Sequence, residues 1–303
     1  MGASDLENAL TPLTIRPAVM PGELDLFNSF PYPLNVEIAG DLAAGRRRPE
    51  WLWLALRGDR VTARAAWWSR PGDEHPLVMD FLDVADGHLD DAVQLVRAAL
   101  PDPAPEFTRF LPPDWRRSGS DTWMSVLEEC GAKPFVERLR LQWEPGTPVP
   151  APSGRLTFRP AGDGELIDLM TLVLEGSLDA HSRDELTRMT PRECAEEQFR
   201  TELTQYPSPR EWWRIAALPD GDPVGFVIPA HNGYNPIIAY IGIVPAHRGR
   251  GHIDDLLAEG TRILAAEDVP RIRAATDVGN VPMAAAFARA GYRTFQRQVD
   301  MIW

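Results

Sequence analysis

Lysine and cysteine are scarce in this sequence. Lys133 is the only lysine among 31 basic residues, and acidic residues number 44, which leaves a formal net charge of −13. This balance argues against nucleic acid or an anionic membrane as a main partner, and it slightly favours a cationic small molecule. The two cysteines, Cys130 and Cys194, lie in helix-like segments of different halves of the chain. We therefore expect small buried side chains and no disulfide, as in a reducing cytoplasm.

Long hydrophobic runs are also missing. No stretch of about 18 apolar residues occurs, so we expect no membrane span. The N-terminal stretch MGASDLENALTPLTIRPA is acidic and has no compact apolar segment, which argues against a secretory signal and predicts a cytoplasmic protein. A chain of 303 residues with 44% hydrophobic and 25% charged residues has an ordinary globular composition, and it suits two domains or one large one.

The signatures of several other chemistries are absent. His247 and His252 have no cysteine or carboxylate at zinc-ligand spacing, so we expect no metal site. No Gly-x-Ser-x-Gly motif occurs, which argues against a hydrolase nucleophile. Asp254 and Asp255 resemble metal ligands, but an equivalent pair recurs at residues 90–91. We interpret both pairs as acids in a first helical turn, where the helix dipole favours them.

The sequence carries an internal duplication. Four blocks recur in the same order: Leu13–Leu24 matches Leu156–Leu166, Trp53–Trp67 loosely matches Trp213–Pro229, Met79–Val84 matches Ala239–Val244, and Cys130–Leu141 matches Ala290–Met301. Four blocks in register favour a tandem repeat over chance. Between the halves, WEPGTPVPAPSGR is rich in proline and glycine, as extended linkers are. We predict a first domain over residues 1–146, a linker over 147–154 and a second domain over 155–303.

The pattern of the second half predicts alternating strands and helices. Helices are predicted to begin at Asp163, as an N-cap, and at Thr190, where Pro191 and Glu193 complete a capping box. The Asp-Gly pair within Pro219–Asp222 predicts a hairpin turn. The predicted order, β-α-α-β-β-β-α-β-α-β, is that of a mixed α/β layer.

One repeated block differs between the halves. The first half reads VADGHLDD from Val84 to Asp91, and the second reads VPAHRGRGHIDD from Val244 to Asp255, which is four residues longer. A strand that leads through a glycine-rich turn into a helix is an anion site, because the first N–H groups of the helix have no partner within it. In the longer block, glycines allow close backbone approach and arginines add positive charge. We therefore predict that it holds a pyrophosphate.

The longer block resembles the cofactor loop of the GCN5-related N-acetyltransferase (GNAT) superfamily. Arg248 and Gly251 occupy the Arg and the first Gly of the family's Arg/Gln-x-x-Gly-x-Gly/Ala motif, and VPAHRG fits the phrase that leads into it. Further on, Asn280 precedes a helix that ends in Gly291-Tyr292, as in the family. The resemblance covers the second half and extends more weakly to the first through the repeat. It implies two tandem GNAT-like domains, each a mixed, mostly antiparallel sheet flanked by helices.

The resemblance also implies an acyl-CoA co-substrate, most simply acetyl-CoA, and no metal. The pantetheine arm would bond to the backbone around Ile243 and Val244 between splayed strands, and an N–H of this segment would stabilise the oxyanion. Asn280 would help to place the arm. The pyrophosphate would lie along the loop and the helix start, at Arg248, Gly249, Arg250, Gly251, His252 and Ile253.

Two positions depart from the family's pattern. Ile253 stands where the motif ends in a small residue, and its helical spacing favours a core position. Phe287 stands where many members carry the tyrosine that protonates the leaving thiolate, and phenylalanine has no proton to give. Tyr240 and Tyr234 are the alternative acids, although each can equally be a packing residue with a solvated tip.

The general base is open as well. The acceptor ammonium must lose a proton before it attacks, and the central strand PIIAYIGIV contains no acid. The segment LEGSLDAHS supplies three candidates: Glu175, Asp179 and His181. His181 has an ordinary pKa suited to a base near neutral pH. His231 is a further possible contact for the acceptor.

The first half lacks the arginines and the longer turn, so we predict a degenerate domain that does not bind CoA in the usual way and that shapes the acceptor cleft. For the whole chain the sequence predicts an acyl-CoA-dependent N-acyltransferase that transfers the acyl group to a primary amine of a small molecule in a ternary complex. Two alternatives stay open: a non-catalytic acyl-CoA sensor, and a GNAT fold with other acyl chemistry, such as O-acylation or a longer acyl donor. The acceptor and the oligomeric state are not predicted.

Overall fold

The computed structural model describes residues 11–118 and 121–303, so the first ten residues of the stretch weighed as a secretory signal lie outside the described residues. The described residues form two compact units: one contains those up to Val136 together with Gln298–Trp303, and the other is Glu137–Arg297. Within the described ranges, no helix is both long and apolar enough to cross a membrane.

The first unit is built on a mixed sheet. Strands β1 to β4 pair antiparallel in chain order, β5 runs parallel to β4, and the end of β12 lies beside β5. Its strands are β1 (Leu13–Pro17), β2 (Leu52–Arg57), β3 (Arg60–Trp68), β4 (Val78–Val84) and β5 (Glu106–Leu111). Its helices are α1 (Leu24–Phe27), α2 (Ile38–Ala43), α3 (Leu89–Ala99), α4 (Trp115–Ser118) and α5 (Thr122–Glu129).

The second unit is built on the same plan. Its strands lie in the order β7-β8-β9-β10-β11-β6, in which only β10 and β11 are parallel neighbours. They are β6 (Lys133–Trp143), β7 (Thr157–Pro160), β8 (Arg214–Ala217), β9 (Pro223–His231), β10 (Pro236–Ile243) and β11 (Ile272–Asp277), and β12 (Arg293–Ile302) closes the chain. The helices are α6 (Asp163–Val173), α7 (Ala180–Glu185), α8 (Pro191–Thr201), α9 (His252–Ala265) and α10 (Val281–Arg289).

Local signals account for most element boundaries in the second unit. The capping box of α8 is confirmed: the Thr190 hydroxyl accepts from the Glu193 N–H, and the Glu193 side chain accepts from the Thr190 N–H. The hairpin between β8 and β9 is confirmed as well, with Gly221 at a φ of +95°. The predicted N-cap at Asp163 is wrong by one position, because Gly162 caps α6 and Asp163 is its first helical residue.

The last strand of each half of the sequence contributes to the other half's unit. Residues 138–143 of β6 pair with 272–277 of β11, and Trp143 is buried in the core of the second unit. Met301 of β12 is fully buried in the core of the first unit. The units therefore differ from the predicted domains at residues 137–146 and 298–303. The predicted boundary marks where the repeated sequence begins again, whereas a compact unit is defined by which residues pack together. The boundary near residue 146 stays a proposal about the duplication.

Candidate active site

Strands β10 and β11 separate from each other over most of their length. They pair only at Ile237 with Arg273, although β10 continues to Ile243 and β11 runs on in parallel. On its other side, β10 stays paired with β9 apart from a bulge at Ala239. Beyond Ile237, β10 therefore has a backbone edge that faces a gap.

The backbone groups at this edge can be assigned from the ladder. The N–H of Val244 donates to the carbonyl of Val224, 3.0 Å away, so Val244 is turned toward the β9 side. Because the direction alternates along an antiparallel ladder, the N–H groups of Ile241 and Ile243 point into the gap. The Val244 carbonyl is also engaged, by the His247 N–H at 3.0 Å. Of the two predicted backbone contacts, Ile243 faces the gap, and we move the second from Val244 to Ile241.

The predicted anion loop lies at the end of β10, just before α9. Gly249 and Gly251 adopt left-handed backbone angles, with φ of +74° and +75°. Side chains other than glycine are strained in this conformation, so the loop requires both glycines. Gly251 is also the N-cap of α9 and provides no capping side chain. The first N–H groups of the helix and their partial positive charge are thereby left for an anion.

Arginines surround this loop. Arg155, the first residue of the predicted second domain, donates to the carbonyl of Gly251 at 3.3 Å and to the carboxylate of Asp255 at 2.5 Å. Arg289 pairs with Asp254 at 2.7 Å, and Arg250 is exposed. The two aspartates of the first turn thus hold arginines beside the helix start, in addition to their favourable position in the helix dipole.

Arg248 has a different position from the predicted phosphate contact. Its Nε donates to the carbonyl of Ile243 at 3.0 Å, its Nη1 to that of Glu175 at 2.6 Å and its Nη2 to that of Val173 at 2.8 Å. The guanidinium therefore joins the end of α6 to the end of β10. Because its donors are directed at carbonyls, we propose that Arg248 shapes the loop and contributes only its charge to the phosphates.

Two buried histidines lie beneath the loop. The rings of His247 and His252 are 6.3 Å apart, and the Nε2 of His247 lies 2.9 Å from the carboxylate of Asp222. Burial, helped by the charge of Arg155, lowers the pKa of His252, so this ring is neutral near pH 7. The positive charge at the helix start therefore comes from the arginines and the helix end, and we propose that His252 contacts a phosphate through its backbone.

An acid cluster lies at the open end of the gap, where β11 ends. Asp277 is 2% exposed, and its Oδ2 accepts the N–H of Ala180 at 2.6 Å. Asp179 is the N-cap of α7 and accepts the N–H of Ser182 at 2.8 Å. The side chain of Arg138, from β6, lies between the two acids: its Nε is 3.1 Å from Oδ1 of Asp277, and its Nη2 is 3.9 Å from Oδ2 of Asp179.

Tyr240 follows the bulge of β10 and faces the same cluster. Its ring packs edge-on against Phe226, with ring centroids 5.0 Å apart. Burial, together with the charges of Asp179 and Glu185, raises the pKa of its phenol, so the hydroxyl is protonated at neutral pH. Tyr234, the other predicted acid, lies on the hairpin before the paired end of β10. His231 is on the same hairpin, where its Nδ1 accepts the N–H of Gly233 at 3.0 Å.

Comparisons with known proteins agree with this geometry, which combines splayed parallel strands, a left-handed glycine loop at a helix start and the strand order given above. Residues 180–292 match the sequence model of the Acetyltransferase (GNAT) family. The chain therefore carries a GNAT domain. A comparison with curated proteins gives no sequence match.

Solved structures share the fold. A GCN5-related N-acetyltransferase from Sphaerobacter thermophilus is 17% identical, with a TM-score of 0.61, and the match covers 95% of this chain and 94% of that one. A tandem GNAT protein from the clavulanic acid biosynthesis pathway is 17% identical, with a TM-score of 0.51 and coverages of 96% and 98%. A glucosamine N-acetyltransferase region of a fungal multi-domain β-N-acetylglucosaminidase is 13% identical, with a TM-score of 0.59, and covers 96% of this chain but 38% of that one. These likenesses show a tandem GNAT fold.

Three other residues that the sequence singled out make capping or packing contacts within the GNAT domain. The Asn280 side chain caps α10 by accepting the N–H of Met283 at 3.3 Å, so it can reach a ligand only through its NH₂ group. Phe287 is buried and packs edge-on against Tyr292, 5.1 Å between ring centroids, which leaves the family's tyrosine position apolar. Ile253 packs against the core, as its spacing predicted.

The three candidate bases are not equivalent. Glu175 has an exposed side chain, and its contribution to the site is the carbonyl that Arg248 binds. Burial raises the pKa values of Asp277 and Glu185, and the charge of His181, on α7, offsets part of this rise. Asp179 is partly exposed beside the gap. We therefore favour Asp179 over the other two.

Sequence reasoning missed three residues: Asp277, Arg138 and Arg155. Asp277 ends a predicted strand, and a carboxylate at such an edge was a usable signal. Arg138 belongs to the first half of the sequence, and Arg155 directly follows the linker, so their approach to the site depends on the tertiary structure.

Proposed function

We propose that the protein is an acyl-CoA-dependent N-acyltransferase, with acetyl-CoA as donor and a primary amine of a small molecule as acceptor. The observation that carries this proposal is the gap between β10 and β11, which opens toward the strand ends where the glycine loop and the acid cluster follow. The coarser activity, acetyl transfer, agrees with the family of residues 180–292.

The residues around the gap fit an acyl-CoA. The N–H groups of Ile241 and Ile243 would hold the amides of the pantetheine arm, and one of them would donate to the oxygen of the tetrahedral intermediate. Gly249 and Gly251 would bring the backbone up to the pyrophosphate. Arg155 and Arg250 would add charge beside it.

The acid cluster supports a cationic acceptor. Asp179, Asp277, Glu185 and Glu202 all lie on this side of the second unit, and three of them raise the pKa of Tyr240 by their charge. A carboxylate-rich cleft attracts an ammonium group and can take its proton. The overall charge of −13 acts in the same direction.

Tyr240 is the proposed proton donor to the leaving thiolate. Its phenol keeps its proton at neutral pH, and it follows the bulge, on the part of β10 that is not paired with β11. Phe287, at the usual tyrosine position, can only pack.

A glycine variant tests the cofactor loop. Gly251→Ala places a Cβ at a φ of +75° and shifts the backbone at the helix start, so we expect the KM for acetyl-CoA to rise at least about tenfold with a smaller change in kcat. CoA release with a broad amine panel measures both constants. Gly72→Ala is the matched control, because Gly72 also has a left-handed φ, +93°, with open space around it, and it lies between β3 and β4 of the first unit. Equal kinetics for wild type and Gly251→Ala would contradict the loop assignment.

A second candidate function is acyl-CoA binding without turnover. The burial of Phe287 and the lack of an acid on β10 favour it. The same panel distinguishes the two: acetyl-CoA binding without CoA release above background for any amine would support a sensor and contradict the enzyme.

A further inference from the structure

The acid cluster contains a buried residue, Asp277, whose carboxylate contacts Ala180 and Arg138, both of which adjoin Asp179. One carboxylate oxygen of Asp277 holds the N–H of Ala180, the residue that follows Asp179. The other, Oδ1, makes no hydrogen bond to any described residue, although Arg138 Nε lies 3.1 Å away as an ion pair without hydrogen-bond geometry.

The same arginine reaches Asp179. Arg138 Nη2 lies 3.9 Å from Oδ2 of Asp179, whose Oδ1 is occupied by the N–H and hydroxyl of Ser182. Asp277 therefore controls both the backbone and the counter-charge of Asp179. Asp277 itself is too buried to contact an acceptor, whereas the side chain of Asp179 is 33% exposed.

We propose that Asp179 takes the proton of the acceptor ammonium and that Asp277 and Arg138 are positioning residues that set its orientation and basicity. This inference rests on the proposed acyltransferase function. It also gives the first half of the sequence a part in the reaction, because Arg138 lies on the last strand of that half.

The proposed step is balanced as follows. The ammonium gives one proton to the carboxylate of Asp179, and the neutral amine nitrogen attacks the thioester carbon of the acyl-CoA. The C–N bond forms, and the C–S bond breaks as the tetrahedral intermediate collapses. The second proton passes from the nitrogen to solvent, and the thiolate receives a proton from Tyr240. Solvent then reprotonates Tyr240 and takes the proton from Asp179, and the products are the N-acyl amine and CoA.

Charges from several elements face Asp179. They are Arg138 on β6, Asp277 on β11, Tyr240 on β10, and Glu185 with the neighbouring His181 on α7. Burial, and then the charge of Asp179, raise the pKa of Asp277, which shows that the two acids interact. Removing the negative charge of Asp277 makes the cluster more favourable to a charged Asp179, and removing Arg138 has the opposite effect.

The test is the pH dependence of kcat/KM for the most active amine of the panel. Asp277→Asn keeps an oxygen for the Ala180 N–H, and we expect the acidic limb to move down by about 1 pH unit. Arg138→Gln should move it up by about 1 pH unit. Asp179→Asn should lower kcat/KM by about 100-fold or more, remove this limb and leave acetyl-CoA binding intact. Asp184→Asn, an exposed acid of the same helix paired with Arg188, is the matched control and should change nothing.

The outcomes separate the two proposals. One outcome overturns this inference and keeps the acyltransferase function. In it, the wild type releases CoA, but the acidic limb of the kcat/KM profile does not move in Asp277→Asn and Arg138→Gln, or moves equally in both. If no amine is acylated, the proposed function fails, and the cluster is tested directly by NMR titration of the aspartate carboxyl carbons. Opposite shifts of the Asp179 titration in the two variants would then support the coupling, and their absence would reject it.

Discussion

Arg248 illustrates how one side chain supports the site. Its three hydrogen bonds to the carbonyls of Val173, Glu175 and Ile243 need the planar, forked guanidinium, since a lysine ammonium cannot span the same three oxygens. The end of α6 packs closely here, and a Cβ on Gly242 would lie 3.0 Å from Cγ1 of Val173. Shape as well as charge therefore accounts for an arginine at this position of the motif.

Arg248→Lys should behave almost like Arg248→Ala. Losing two or three hydrogen bonds at about 1 kcal/mol each should lower the melting temperature by several degrees, and the distorted loop should raise the KM for acetyl-CoA. Thermal unfolding and acetyl-CoA titration measure the two effects. Arg250→Lys, at an exposed neighbour, should change stability by less than about 0.5 kcal/mol. Full rescue of Arg248→Ala by lysine would show that charge alone matters.

At the level of elements, the two units differ in what lies between their separated parallel strands. In the first unit, β4 and β5 pair only at Val78–Met79 with Glu106–Phe107, so they also separate. There the guanidinium of Arg109 donates to the carbonyl of Leu82 at 2.9 Å and to Asp83 at 2.6 Å. The protein's own side chain thus takes the place that we propose for a pantetheine arm between β10 and β11. No second pair of left-handed glycines precedes α3, which follows β4 after a shorter turn.

We therefore predict one acyl-CoA site per chain. Calorimetric titration with acetyl-CoA should give a stoichiometry near one, and the double variant Arg248→Ala with Gly251→Ala should lose the whole binding signal. A remaining signal of about half the heat would show that the first unit also binds the cofactor.

At the level of the whole molecule, each unit depends on a strand from the other half of the sequence. Without residues 137–143, β11 would lose its antiparallel partner, and the core of the second unit would lose Leu141 and Trp143. Without residues 298–303, the first unit would lose Val299 and Met301 from its core. Burial of such side chains contributes about 1.5–3 kcal/mol each, which is a large fraction of a unit's stability.

A comparison of two fragments checks this dependence. A fragment of residues 147–303, which follows the duplication boundary, should be unfolded or aggregated because it exposes the edge of β11. A fragment of residues 133–303 keeps β6 and should be more folded and bind acetyl-CoA more tightly. Circular dichroism, gel filtration and acetyl-CoA binding measure the difference. Equal folding and binding by both fragments would contradict the proposed dependence.

The sequence by itself determined the local features of the GNAT domain. The capping box at Thr190, the hairpin at Gly221 and the left-handed glycines of the loop are each specified by residues close together in the chain, because backbone angles and caps are local properties. The family could be recognised for the same reason, since its loop motif is a contiguous stretch.

The tertiary structure decided what distant residues do. It directs the donors of Arg248 to carbonyls, turns Val244 away from the gap, and brings Arg138 and Asp277 to Asp179. It also assigns the last strand of each half to the other half's unit. No local pattern encodes these arrangements, because pairing and ion-pair geometry depend on which elements become neighbours when the hydrophobic cores form.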